Sequence, residues 1–401
     1  MISAKEAGAK IRPFQCRRVA KRGPTPPHPA KNPLARNTEC SVHSTVYGAQ
    51  ADPDPTPDQT ESRPAFPGPL KPMNPTRPRR PATRADFEIA VFCALTIEAE
   101  AVLALFDTRW DNDRRCTYDK AAGDPNAYST GAVGRHNVVL VHMPGMGKVN
   151  ATAVATNCRT SFPNIKLALI VGVCGVVPFY TGGNKTVEIV LGDVIIGNGV
   201  VQYDLGRRFP GQFVPKNTLL DALGRPNTEI LSLLAKLKGF DEQTTLQGRI
   251  SEYMDVLRGK PGLAAAYPGA AHDRLFEATY CHATDGMSCE ESACDDGKLL
   301  RRARLEHGGG QPAVHFGLVA SGDTVMKSGE DRDDVARKAG VIGFEMEGAG
   351  VWDIFPCVVI KGACDYADCH KTKAWQRYAA ATAAACMNAF LGYWVPSTTG
   401  T

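Results

Sequence analysis

The sequence lacks the marks of several protein classes. Its basic N-terminal stretch is broken by Glu6 and Pro13 and is followed by no apolar run, which argues against a secretory signal. No internal repeat is present. Of 46 basic and 42 acidic residues, the first 85 positions hold 15 and 6, which leaves 31 and 36 and a net charge of −5 for the remainder. A basic nucleic-acid-binding surface is therefore not expected there.

Two glycine-rich nucleotide-binding motifs are also missing. The segment G-M-G-K-V-N-A (145–151) does not satisfy the P-loop pattern, and it lacks the third glycine of the dinucleotide-binding fingerprint. By itself it indicates only a tight turn or a close approach of backbone. No organic cofactor is implied.

Cysteine is abundant, but its pattern does not predict disulfides or a metal. Thirteen is an odd number, and several cysteines lie in apolar runs, so we expect free thiols in a reducing, intracellular compartment. Two groups of potential metal ligands are Cys281, His282, Cys289 and Cys294, and Asp365, Asp368, Cys369 and His370. The first lacks the close ligand pairs of zinc sites, and the second has mixed chemistry typical of a surface loop. No metal site is predicted.

Composition divides the chain. Residues 1–85 hold 16 of the 28 prolines and a net charge of +9, and we predict a disordered tail there, with a targeting role left open. One domain is predicted over 86–395, with a polar excursion at 255–313, and a short tail over 396–401. We expect this domain to stand alone.

From residue 86 onward, short apolar runs alternate with helical patterns. Strands are predicted at 87–95, 137–143, 167–177, 193–203, 314–322, 341–346 and 357–366, and helices at 97–106, 148–162, 228–238, 331–339, 347–354 and 375–392. This alternation predicts a three-layer α/β fold with a central mixed β-sheet flanked by helices. The uncharged run 378–395 is long enough for a membrane span, but its many alanines favour a buried helix.

Carboxylates stand at three predicted strand ends. Glu98 follows the first strand, Glu345 and Glu347 lie at a strand-to-helix junction, and Asp365 ends the last strand. Open α/β sheets bind ligands at such strand ends. Each acid alone also fits a helix N-terminus, which it would cap or stabilise through the dipole. Together with two glycine-rich turns, they indicate a site.

Seven blocks, in order, carry a family resemblance. They are A-L-T-I-E-A-E-A-V-L-A-L-F-D (94–107), G-M-G-K-V-N-A-T (145–152), V-G-V-C-G-V-V (171–177), L-G-D-V-I-I-G-N-G-V-V-Q-Y-D-L-G-R (191–207), F-G-L-V-A-S-G-D-T-V-M-K (316–327), F-E-M-E-G-A-G (344–350) and V-I-K-G-A-C-D-Y-A-D-C-H-K-T-K-A-W-Q-R-Y-A-A-A-T-A-A-A (359–385). Residues 87–394 thereby resemble the purine and uridine phosphorylase superfamily. This superfamily includes the methylthioadenosine/adenosylhomocysteine nucleosidases, and the resemblance is greatest to its fungal branch associated with NOD-like receptors.

The resemblance implies roles for particular residues. Met346 and Glu347 would hold the ribose, Asp365 would protonate purine N7 as general acid, and Glu98 would hold a nucleophilic water. Further substrate contacts are implied at Gly147, Gly172, Gly175, Asp204, Val325 and Met326. The expected partner is a small nucleoside or nucleotide, bound by a homo-oligomer without nucleic acid or membrane.

Departures from the family's pattern bear on the reaction. Phosphorylases hold phosphate with an Arg and a Ser or Thr where this chain has Ile170 and Val173. Their first loop is glycine-rich and carries a phosphate-binding Arg, whereas the same loop here is A-L-T-I-E-A-E, in which Glu98 would repel phosphate. Apolar side chains would leave phosphate oxygens unpaired, so water is the predicted nucleophile. The aromatic residue that nucleosidases stack on adenine is replaced by Val325 and Met326. Phosphorolysis through other residues and a non-catalytic sensing module remain alternatives, although a sensor needs no general acid.

Two cations lie just outside these motifs. Arg207 and Lys327 each follow a predicted pocket segment, and they would suit a substrate 5′-phosphate through charge-assisted hydrogen bonds. The alternative is that they are ordinary solvated surface charges.

Overall fold

The computed structural model describes residues 78–111, 118–282, 287–306 and 310–397. Most of the predicted N-terminal tail and residues 398–401 therefore lie outside the described residues. The last part of that tail, 78–85, contacts the domain: the Tyr118 hydroxyl donates to the Pro81 carbonyl at 2.8 Å, and Arg80 donates to the Trp110 carbonyl at 3.1 Å. Contacts with the domain are therefore made by residues that precede 86, the predicted start of the domain.

The described residues form thirteen strands and eight α-helices. The strands are β1 (Ile89–Cys93), β2 (Thr108–Arg109), β3 (Ala127–Val133), β4 (His136–His142), β5 (Leu167–Val176), β6 (Phe179–Gly182), β7 (Lys185–Glu188), β8 (Val194–Gln202), β9 (Gly206–Phe209), β10 (Gln212–Pro215), β11 (Val314–Ser321), β12 (Val341–Glu345) and β13 (Cys357–Asp365). The helices are α1 (Thr96–Leu103), α2 (Lys148–Ser161), α3 (Thr228–Leu237), α4 (Phe240–Arg258), α5 (Ala303–Glu306), α6 (Gly329–Ala339), α7 (Gly348–Val351) and α8 (Gln376–Leu391).

Nine strands form one mixed sheet in the order β12-β11-β8-β13-β5-β1-β4-β3-β2. The strands β4, β1, β5 and β13 run parallel, and so do β8, β11 and β12. The two groups meet antiparallel, through β13 with β8 and through β12 with β5. Five strands thus close into a ring, in the order β5, β13, β8, β11 and β12. The ends of β12 and β13 both lie beside Gly175, near the end of β5.

Helices cover the sheet and complete the predicted α/β architecture. Helix α8 packs on β5 and β13, with α1 and α4 against it, whereas α2 packs with α7. Every residue of α8 from Tyr378 to Leu391 is buried, so its uncharged composition serves the core of the domain. In the described part of the chain, no helix combines the length and apolar character needed to cross a bilayer.

The predicted strands of the main sheet are confirmed, but eight elements were not predicted: helices α4 and α5 and strands β2, β3, β6, β7, β9 and β10. Helix α4 buries an apolar stripe, Leu246, Ile250, Met254 and Leu257, at helical spacing within an otherwise polar segment. Strand β3 pairs with β4 through a turn at Gly134, whose φ of +57° suits glycine. Helix α4 continues to Arg258, past the predicted start of the polar excursion at 255, and the helix predicted at 347–354 is the four-residue α7.

Candidate active site

Glu98 is held at the exit of β1 by three backbone N–H groups. Its Oε2 accepts from Ala94 at 3.0 Å and Leu95 at 2.9 Å, because the chain turns there into α1. Its Oε1 accepts from Val173 of β5 at 2.8 Å. The residue is only 3% exposed. The acid is therefore fixed between the first helix and the central strand of the sheet.

The two glycines of β5 make room for carboxylates. A Cβ atom on Gly172 would lie 2.1 Å from Glu98 Oε1, and one on Gly175 would lie 2.7 Å from Asp365 Oδ1. At these distances, a side chain at either position would displace the neighbouring carboxylate, so both positions require glycine. The V-G-V-C-G pattern therefore brings β5 backbone against two of the three predicted site carboxylates.

Glu347 is paired with a lysine that the sequence analysis missed. Lys361 lies within β13, next to Gly172 in the register with β5, and is 1% exposed. Its Nζ donates to Glu347 Oε2 at 2.8 Å. Burial alone would lower the pKa of Lys361, but the surrounding carboxylates, Glu347 foremost, outweigh it and raise that pKa. Lys361 is thus a buried ammonium ion within a group of acids.

The same surroundings change the titration of Glu98. Burial raises its pKa above the usual value of 4.5 because the charged form loses its hydration. The Lys361 ammonium acts in the opposite direction, and the neighbouring Glu347 adds to the rise. A carboxylate with a raised pKa is a better proton acceptor than an exposed glutamate.

Asp365 ends β13 opposite Gly175 of β5. Its Oδ1 accepts from the Ala367 backbone N–H at 2.9 Å and from Lys371 Nζ at 2.8 Å, and the Cys364 thiol donates to Oδ2 at 3.3 Å. The side chain is 13% exposed, against 5% for that of Glu347. Lys371 is a second positioning cation that the sequence analysis did not identify.

Glu345 has the capping role that was the simpler explanation for the acids at this junction. Its carboxylate accepts from the backbone N–H groups of Glu347 at 3.0 Å and of Gly348 at 2.8 Å, at the start of α7. The side chain of Glu347, two residues later, does not cap the helix and instead accepts from Lys361. The neighbouring Met346 is half-buried.

A network of polar contacts joins the remaining loops to this site. The Gly147 N–H approaches Glu347 Oε1 at 3.4 Å, and the next residue, Lys148, donates its N–H to Asp323 at 2.8 Å. Lys148 Nζ lies 2.5 Å from Asp204 Oδ1, and Asp204 Oδ2 accepts from the Asp323 N–H at 2.8 Å. Asp204 therefore ties loops together, a role that its predicted substrate contact did not include.

The residues expected beside the base differ in exposure. Val325 is 48% exposed, whereas Met326 packs against an apolar cluster that contains Val177 and Phe344. That cluster also contains Ala367, which adjoins Gly175 and Asp365. Met326 is thus linked to the general-acid candidate through packing, and base contact stays a prediction for both residues.

The two cations suggested for a 5′-phosphate are both exposed. Arg207 lies in the hairpin formed by β9 and β10, which is separate from the main sheet. Lys327 lies in the segment that precedes α6. Their contact with a phosphate stays a prediction.

Comparisons with known proteins identify the family. The model of the phosphorylase superfamily matches residues 88–391. A nucleotide-binding leucine-rich repeat (NLR)-like protein of Hyaloscypha variabilis is 32% identical over 77% of this chain, which spans only 29% of that relative. A 5′-methylthioadenosine/S-adenosylhomocysteine nucleosidase of Mycobacterium bovis is 24% identical, over 66% of this chain and 83% of its own. The structure of futalosine hydrolase of Helicobacter pylori has a TM-score of 0.46 and 17% identity, and it covers 77% of this chain and 98% of that one.

The matched region includes the whole candidate site. It begins before β1, ends in the last residue of α8, and contains Glu98, Glu347, Lys361 and Asp365. Since the match extends over most of the chain, the protein belongs to the phosphorylase superfamily.

Proposed function

We propose that this protein is an enzyme that hydrolyses the N-glycosidic bond of a purine nucleoside or nucleotide. Membership of the superfamily supports cleavage of this bond. The observation that favours water as the nucleophile is the Glu98 carboxylate, buried against Gly172 and hydrogen-bonded to the Val173 N–H. An acid at this place suits the activation of water.

In the proposed reaction, Glu347 accepts hydrogen bonds from the ribose hydroxyls, while Lys361 holds the carboxylate through its hydrogen bond to Oε2. Asp365 gives its proton to purine N7, so that the base leaves as a neutral molecule when the bond from C1′ to N9 breaks. Lys371 and the Ala367 N–H hold Asp365 in position. The ribosyl fragment develops oxocarbenium character, as in glycoside cleavage generally.

Water completes the reaction at C1′. Its oxygen bonds to C1′ as Glu98 accepts a proton from it, which gives ribose or ribose phosphate as the second product. Glu98 Oε1 accepts one backbone hydrogen bond, and a carboxylate oxygen has a second lone pair with which it would accept from this water. The raised pKa of Glu98 supports its role as the base.

The same residues disfavour phosphate as the nucleophile. Ile170 is 1% exposed within β5 and offers no donor, and the Val173 N–H is already used by Glu98. A phosphate placed there would meet a carboxylate, and its unpaired oxygens would cost several kcal/mol, on the order of 2–7. Phosphorolysis therefore remains the less favoured alternative.

The direct test is base release with and without phosphate. We expect purified protein to release the base from adenosine, guanosine or ATP at a rate that added phosphate does not change, with uridine as a pyrimidine control. Chromatography of base and sugar products measures this. Strict dependence on phosphate, with ribose 1-phosphate as product, would restore the phosphorylase alternative, and no base release from any substrate would favour the sensing module.

The pH profile of kcat/KM tests the base. Glu98 accepts a proton only when it is ionised, so activity should fall as the pH falls through its pKa. Because burial raises that pKa, the acid limb should lie above pH 4.5. The Glu98→Gln protein has no such group, and its residual rate should lack this limb. An acid limb at or below pH 4.5, or one retained in Glu98→Gln, would assign the base elsewhere.

A further inference from the structure

Four potential metal ligands from distant parts of the sequence converge outside the active site. His282, Cys289 and Cys294 lie in the polar excursion, and His370 lies in the loop after β13. One ligand atom from each lies within 4.8 Å of all the others. This grouping differs from both metal candidates weighed from the sequence, since it leaves out Cys281 and recruits His370 from 76 residues beyond Cys294.

The distances among these atoms match a tetrahedral site. Cys289 Sγ lies 3.5 Å from His282 Nε2 and 3.6 Å from His370 Nδ1, and Cys294 Sγ lies 3.7 Å from the same Nδ1. Around zinc, with Zn–S of about 2.3 Å and Zn–N of about 2.0–2.1 Å, the S···N edges of a tetrahedron are about 3.6 Å. These three edges therefore fit a central zinc ion, and the four ligand atoms all lie within 4.8 Å of one another.

The second ring nitrogen of His370 is held as a ligating histidine requires. Its Nε2 lies 3.0 Å from the Tyr280 carbonyl oxygen, and the ring stacks on Phe276 with centroids 4.1 Å apart. Donation from Nε2 to a carbonyl places the lone pair on Nδ1, which faces the two thiols. His370 is 7% exposed, so the ring is both oriented and shielded.

We propose that His282, Cys289, Cys294 and His370 bind a zinc ion in a closed structural site. Two thiolates and two imidazoles are a ligand set that zinc takes in structural sites, and two thiolates balance the charge of the ion. Four protein ligands leave no position for a substrate. The ion would fasten the polar excursion to the loop after β13, one residue before Lys371, which contacts Asp365.

The metal content of the purified full-length chain tests this site independently of catalysis. We expect about one zinc per chain by elemental analysis. Replacement with Co²⁺ should give the visible absorption of a tetrahedral, thiolate-bound ion. X-ray absorption should show two sulfur and two nitrogen neighbours.

Variants assign the ligands. Cys289→Ser, Cys294→Ser and His370→Ala should each weaken zinc binding at least about tenfold. Cys281→Ser removes an adjacent, exposed thiol outside the set and should keep full occupancy. The proposal would be overturned if wild-type protein, expressed with added zinc, contained no bound zinc after purification. A Cys289–Cys294 disulfide found by mass spectrometry would also overturn it. Equal zinc loss in Cys281→Ser would overturn the ligand assignment.

Discussion

Asp365→Asn should lower kcat by about 10²–10⁴ while leaving the fold intact. The amide cannot give a proton to purine N7, so the base would have to leave as an anion. Its oxygen still accepts from the Ala367 N–H, which preserves the turn after β13. The contact with Lys371 is partly exposed, and its loss should therefore cost little stability. Steady-state kinetics and thermal unfolding of the same preparation separate the two effects.

Asp334→Asn is the matched control for this substitution. Asp334 pairs with Lys338 at 2.6 Å on the exposed face of α6, so the control also removes a lysine–carboxylate contact. It should keep wild-type kcat. If Asp365→Asn were as active as this control, Asp365 would be only a turn residue, and the proton donor would lie elsewhere.

The fold was largely readable from the sequence because its strands are buried on both faces. The apolar runs that became β1, β5 and β13 are buried along nearly their whole length, which makes them visible as strands, and Asp365 marks the end of β13. Helix α4 was missed because its stripe of four apolar residues is diluted by polar ones. Strand β3 was missed because A-Y-S-T-G-A-V has neither a continuous apolar run nor a regular alternation.

The candidate site was predictable only in part. Glu98, Glu347 and Asp365 follow strands, where a sequence pattern can locate them. Lys361 has no motif of its own, although a lone lysine within the apolar strand C-V-V-I-K-G-A-C is a signal, since a buried cation requires acids nearby. The proposed set of zinc ligands could not be predicted from the sequence, because His370 is distant along the chain and only the fold brings it next to the other three residues.

Lys361→Met should be the most destabilising of these substitutions, by about 3–5 kcal/mol in the free energy of unfolding. Methionine has a similar length and fills the space, so the loss is mainly the cation. Without it, the Glu347 carboxylate, 4% exposed, remains buried without its counter-ion, with Glu345 and Glu98 nearby. Urea denaturation followed by fluorescence measures the change.

Lys338→Met and a double variant show whether burial is the cause. The Lys338 contact with Asp334, at 2.6 Å, is shorter than that of Lys361 with Glu347, at 2.8 Å, but both of its partners are exposed. Its loss should change stability by no more than about 0.5 kcal/mol. Adding Glu347→Gln to Lys361→Met removes a buried carboxylate that has lost its counter-ion, and it should recover part of the lost free energy of unfolding. Equal effects in the two single lysine variants, or no recovery in the double variant, would contradict a buried ammonium as the charge that holds the acids of this site together.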